Sequence, residues 1–159
     1  MQRSSNITIR PAGLQDLEAV AELRWQWIRE NEHPDDPVAD TQRADFIRHF
    51  TTWARENAAS HTCTVLVREH TVIGMAWLAV LPRVPTPGAL NRASGDLQCV
   101  YVVPEERNSG LGARLLDAVL NRARTLGLER VTVHSSPRAI PAYARSGFEN
   151  SPRLMHTRP

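Results

Sequence analysis

Apolar residues change their spacing several times along the chain, and each change marks an element. ITIRPA, Ile7 to Ala12, alternates and then meets a proline, the pattern of a short strand. Asp16 follows as an acidic residue at a helix start, and Leu17, Val20, Ala21, Trp25 and Ile28 then recur at helical spacing. Phe46, Ile47, Phe50, Trp53 and Ala54 define a second apolar stripe. Between the two helices, ENEHPDDPVAD (Glu30 to Asp40) reads as a loop, because its prolines stop the first helix and its carboxylates gather negative charge.

The middle of the chain shifts to strand character. TCTVLVRE, HT and VIGMAWLAVL (Thr62 to Leu81) predict a hairpin with a tight turn at His70–Thr71. LPRVPTPGALNRAS (Leu81 to Ser94) holds three prolines and a glycine and is expected to leave the sheet, with a further strand from Gly95 to Val103. These four strands predict an antiparallel meander. From Gly112 the period returns to that of a helix, with Leu115, Leu116, Val119, Ala123 and Leu126 on one face and Gly127 just past its end. RVTVH (Arg130 to His134) then predicts a strand joined to the previous one by a right-handed parallel crossover. A short helix from Pro141 to Ser146 and an edge strand at Leu154 to Thr157 complete the expected order.

Composition narrows the class. A chain of 159 residues with 42% hydrophobic and 23% charged residues suits one α/β domain spanning residues 1–159. Its net charge of +2 comes from scattered arginines, so no basic stripe for nucleic acid is expected. Cys63 and Cys99 lie in apolar runs without ligand spacing, which predicts buried thiols and neither a metal site nor a disulfide. The chain has no long apolar span, and MQRSSNITIR lacks the apolar centre of a signal peptide. A cytoplasmic protein with no membrane association is the expectation.

The richest chemistry lies in VYVVPEERNSGLGARLL, Val100 to Leu116, where a strand passes through a charged turn and two glycines into a helix. Arg107, Asn108, Ser109, Gly110, Leu111, Gly112 and Ala113 place several backbone N–H groups at a helix start, where the helix leaves them unpaired and its dipole is positive. That is an anion site, with Arg107 as a charged fork. A triphosphate loop needs Lys-Ser/Thr after its last glycine, where Ala113 and Arg114 stand. A dinucleotide fingerprint needs a small residue at 115, where Leu115 stands.

Two motifs resemble those of the GNAT superfamily of N-acetyltransferases. Val102-x-Pro104-x-x-Arg107-x-x-Gly110-x-Gly112 is similar to that superfamily's acetyl-CoA-binding motif, and Ala139-Ile140-x-x-Tyr143-x-x-x-Gly147-Phe148 is similar to its second signature. The resemblance spans about Ile7 to Met155. It implies a mixed, mostly antiparallel sheet splayed at the centre, with helices on both faces. It further implies that acetyl-CoA is the co-substrate, with pyrophosphate on the glycine turn and pantetheine along the backbone of Val100, Tyr101 and Val102. Tyr143 occupies the position of the acid that protonates the departing sulfur. Asp96 is a candidate base, acting through water; strand alternation puts it on one face with Gln98 and Val100 unless a bulge intervenes. Ser136 replaces an asparagine that commonly touches the coenzyme.

By the same resemblance, the first two helices and their loop shape the acceptor site, which makes Trp27 and Glu30 candidate substrate contacts. Carboxylates there favour a primary amine on a small molecule or peptide. Homodimers are common in the superfamily. A non-catalytic acyl-CoA sensor or interaction domain of the same fold is the alternative.

Overall fold

The computed structural model describes residues 6–159. Five strands form one sheet in sequence order: β1 (Ile7–Pro11), β2 (His61–Arg68), β3 (Thr71–Arg83), β4 (Arg92–Val102) and β5 (Val131–Val133). The first four are antiparallel neighbours, and β5 joins β4 in parallel. Helices α1 (Leu17–Glu30) and α2 (Arg43–Glu56) precede β2; α3 (Leu111–Thr125) connects β4 to β5, and the short α4 (Ile140–Arg145) follows. No helix among the described residues is long and apolar enough to cross a membrane.

The period of two along the strands divides the core between the sheet's faces. On β2, Val65 and Val67 pack with Leu17, Val20 and Leu23 of α1, whereas Leu66 packs with Leu115 and Val119 of α3. Aromatic contacts knit the first face: Trp25 of α1 meets Phe46 of α2 at 5.7 Å between ring centroids, and Phe50 meets Trp77 of β3 edge-on at the same separation. Asp16, just before α1, accepts hydrogen bonds from Arg10 and from the Gly13 amide, which fixes how β1 enters that helix.

Several expectations are corrected. The sheet does not end at Leu81: β3 continues through Pro82 to Arg83, paired with Arg92–Ser94. The geometry explains how a strand tolerates that proline. The Val80 amide points away from β4 to the Ser60 carbonyl, and the Ala93 carbonyl points away from β3 to the Glu129 amide. Pro82, opposite Ala93 and in phase with Val80, therefore lacks its N–H on a side where β2 has already ended at His61. The first hairpin turns one residue earlier than expected, with Glu69 at a φ of 57°. Leu126 caps α3 and is 46% exposed instead of lying on the buried face.

The expected edge strand at Leu154–Thr157 is absent. The tail turns at Ser151, whose carbonyl accepts from the Leu154 amide, and Leu154 and Met155 stay exposed. Tail, β5, α4 and the end of α3 line a groove of about 670 Å³.

Candidate active site

β4 and β5 share only three register pairs, Gly95 with Val131, Asp96 with Thr132 and Leu97 with Val133. Beyond Leu97, β4 runs on for Gln98 to Val102 with no strand among the described residues on its β5 side. The parallel seam thus opens toward the C-terminal end of β4, leaving Val100, Tyr101 and Val102 on the open stretch.

A bulge sits at the same place. Trp77 pairs with Gln98 and Met75 with Tyr101, so Ala76 faces two residues, Cys99 and Val100. Cys99 takes up the extra residue with a φ of 52°, a conformation side chains rarely adopt. The bulge reverses the strand's phase. Leu97, Val100 and Val102 pack on the α3 side, while Cys99 and Tyr101 pack on the α1 side. Val100 therefore does not share a face with Asp96, contrary to simple alternation.

The glycine turn follows. A 3-10 turn at Pro104–Glu106 is braced by Arg68, which donates to both carboxylate oxygens of Glu106 at 2.7 and 2.6 Å. Asn108 and Gly110 have φ values of 61° and 80°, and Gly110 caps α3. Ser109 Oγ donates to the Glu106 carbonyl at 2.7 Å. The backbone amides from Asn108 to Ala113 have no acceptor among the described residues, while that of Arg114 is the first to join the helix ladder, on Gly110. A Cβ built on Gly110 or Gly112 would meet nothing within 4 Å. This row of unpaired donors facing open space fits a pyrophosphate, and Gly110, with its positive φ, suits the sharp turn.

Arg107 does not point into that space. Its Nε donates to the Val102 carbonyl at 2.8 Å, its Nη2 donates to Glu30 at 2.8 Å, and its guanidinium lies 5.2 Å from the Tyr101 ring. The Tyr101 hydroxyl donates a short hydrogen bond to the other Glu30 oxygen. Glu30, at the end of α1, thereby holds both the tip of β4 and the turn. Burial pushes the Glu30 carboxyl up, but the hydrogen bonds from Tyr101 and Arg107, aided by the charges of Arg107 and Arg138, outweigh it and leave the group below its usual range. Burial and Glu30 together push the Tyr101 phenol well up. The loop after α1 is also internally matched: Arg29 pairs with Glu32 and Asp40, and Glu32 accepts from the Val38 amide.

Tyr143 lies on α4, packed beside the α3-side core with Phe148 edge-on at 5.4 Å. Burial, reinforced by nearby Cys99, raises its pKa, so the hydroxyl is protonated at neutral pH. Asp96 is half-buried and held between two neutral donors, Gln98 Nε2 at 2.8 Å and Thr132 Oγ1 at 3.3 Å. Ser136 is exposed and precedes the turn at Pro137–Ala139. Trp27 is 36% exposed, with the Arg24 guanidinium 4.3 Å from its ring centroid. Cys63 is buried, which pushes its thiol up to about 12, whereas Cys99 is only partly buried.

Arg24 and Thr132 were not singled out by the sequence, and Gln98 and Cys99 were named there without a role in the site. Gln98 had a signal, two positions from Asp96 on one strand face. The others depend on the bulge and on the β5 register.

Comparison with known proteins agrees with this geometry. The family model described as "Acetyltransferase (GNAT) family" matches residues 17–148. A glucosamine 6-phosphate N-acetyltransferase of Trypanosoma brucei brucei is 32% identical over 84 residues, 53% of this chain and 55% of that protein. An amino-acid acetyltransferase of Pseudomonas syringae pv. syringae is 41% identical over 58 residues, 36% of this chain and 13% of that protein. The chain thus spans about half or less of the curated relatives it matches. A predicted acetyltransferase from Clostridium acetobutylicum, solved with acetyl-CoA, superposes with a TM-score of 0.75 at 18% identity, covering 96% of each chain. With its opened seam, bulged fourth strand and glycine turn, this chain belongs to the GNAT family of acetyltransferases.

Proposed function

We propose that the protein transfers an acetyl group from acetyl-CoA directly to a primary amine of a small molecule. The observation that carries this reading is the run of unpaired amides from Asn108 to Ala113, beside a β4 whose last five residues have no β5 partner. The amides and the α3 dipole hold the coenzyme's pyrophosphate, and pantetheine lies along the backbone of Val100, Tyr101 and Val102, where the Val102 carbonyl already accepts from Arg107. Ser136, across the seam, is a further coenzyme contact. The names of the two relatives, a sugar-phosphate and an amino-acid acetyltransferase, support a small molecule over a peptide as acceptor.

Three tasks then fall to this chain's residues: placing the amine against the thioester carbonyl, taking its proton and protonating the leaving sulfur. Tyr143, neutral because its surroundings disfavour the phenolate, donates the last proton. Asp96 takes the proton through a water, its two oxygens fixed by Gln98 and Thr132. Glu30, already committed to Arg107 and Tyr101, acts by positioning the coenzyme loop, and Trp27 is left as the acceptor-side contact of α1.

Titration calorimetry of acetyl-CoA into the wild type and Gly112→Asp tests the reading, followed by coenzyme A release with a panel of amines. Saturable micromolar binding that the variant lacks, with turnover of at least one amine, is expected. Absence of binding by the wild type overturns the proposal. Binding without turnover of any amine replaces it with a non-catalytic coenzyme-binding domain.

A further inference from the structure

Arg24 is a charged group that the roles above leave unused. It lies on α1, one turn beyond Val20, which is 0% exposed and packs in the same cluster as Tyr101, with Cys99 against it. Its guanidinium stacks on Trp27 with 4.3 Å to the ring centroid. Contact with the indole face restrains the guanidinium while its N–H groups can still donate. Arg24 has no carboxylate partner among the described residues, and the neighbouring acids are taken. Glu22 is bound by Arg43, Glu30 by Arg107 and Glu32 by Arg29.

Its place relative to the chemistry is defined by the bulge. Cys99, the residue at which β4 changes phase beside the opened seam, packs against the same cluster as Val20, one helical turn before Arg24. Asp96 is in phase with Gln98 on the face opposite Leu97, the α1 side of the sheet, and among the described residues its carboxylate is met only by neutral donors. Among the described residues, the α1 side of the sheet therefore presents a cation on α1 and an anion on β4 that no ion pair compensates.

We infer that Arg24, held over Trp27, binds an anionic group of the acceptor, so that the acceptor is an amine that also carries a carboxylate or a phosphate. The inference rests on the acetyltransferase reading and adds the acceptor's charge class to it. A guanidinium fork suits either oxyanion, through paired charge-assisted hydrogen bonds. A fixed cation at this point also disfavours polyamines, whose second ammonium would be left against it. Trp27 gives the guanidinium its platform and accounts for a large indole kept partly in water.

Steady-state coenzyme A release with matched acceptors tests this: glucosamine 6-phosphate against glucosamine, L-alanine against L-alaninamide, and spermidine as a polycation. The wild type is expected to favour the anionic member of at least one pair by about tenfold or more in kcat/KM. The phosphate and carboxylate pairs identify which oxyanion is used. Arg24→Gln is expected to erase that preference while the calorimetric Kd for acetyl-CoA stays put, Arg24→Lys to retain part of it, and Trp27→Leu to weaken it. Should Arg24→Gln fail to fold, Trp27→Leu carries the same comparison. Equal or better turnover of the uncharged or cationic amines, insensitive to Arg24, overturns the inference and leaves the transferase reading intact. Acetyl-CoA binding with no turnover of any amine removes both.

Discussion

Arg107 reaches Glu30 across 77 residues of chain, with Nη2 to Oε2 at 2.8 Å, and so fastens the end of α1 to the turn that opens α3. Tyr101 donates to the same carboxylate from the end of the bulged strand. Glu30→Gln keeps the shape but loses the charge, and should lower both melting temperature and acetyl-CoA affinity, the latter several-fold. The pH dependence has a definite sign. Because the folded carboxyl has a depressed pKa, its stabilising contribution is complete above the unfolded value of about 4.3 and disappears as pH falls through the lower folded value. The difference in melting temperature between wild type and Glu30→Gln should therefore hold from pH 7 down to about 5 and then close on further acidification. A difference that stays constant in acid would show that charge is not what Glu30 contributes.

Tyr143→Phe removes one hydroxyl from a ring packed against Phe148. Turnover should fall by about tenfold or more while acetyl-CoA binds as before, since general acid catalysis contributes on the order of a hundredfold or more. Stopped-flow or steady-state coenzyme A release, paired with calorimetry, separates the two quantities. Unchanged turnover excludes Tyr143 as the acid.

Gly110 and Gly112 both face open space, yet their backbones differ, and the two substitutions should differ accordingly. Gly110→Ala places a side chain at a φ of 80° and should destabilise the fold by about 1 kcal/mol. Gly112→Asp should leave stability nearly unchanged and abolish acetyl-CoA binding by placing a carboxylate among the amides. Chemical denaturation and calorimetry on both variants distinguish strain from electrostatic exclusion.

Asp96→Asn preserves size and keeps one of the two acceptor oxygens that Gln98 and Thr132 meet. With Asp96 as base, the acidic limb of the kcat/KM profile should move to higher pH, where the amine is already neutral, and the plateau should fall. A profile that keeps its position assigns Asp96 to holding β5 through Thr132 instead.

The helices were legible because Leu17, Val20, Ala21 and Leu115, Leu116, Val119 repeat a period that their burial confirms. The glycine turn was legible because an apolar strand run ends just before Gly110 and Gly112 and a helical period begins just after them. Less legible was anything that depends on which side of a strand has a neighbour. Pro82 is harmless only because β2 stops at His61, and nothing near Pro82 announces that. The bulge at Cys99 adds one residue without any glycine to mark it, so alternation assigned Val100 to the wrong face. The direction of Arg107 was set by a glutamate on a helix far away in sequence, which local spacing does not encode. The tail from Ser151 has strand-like residues, but it turns at Ser151 and never reaches the sheet.

The three-pair ladder between β4 and β5 has a mechanical meaning. The main chain of β5, α4 and the tail is joined to the rest of the sheet by a short zip, and its attachment depends chiefly on side chains of α3 and β5 packed on the other strands. Such a seam is where local opening needs least free energy. A molecule lying along the gap would stitch the two parts together, so the loaded protein should open as one unit where the empty one opens in two.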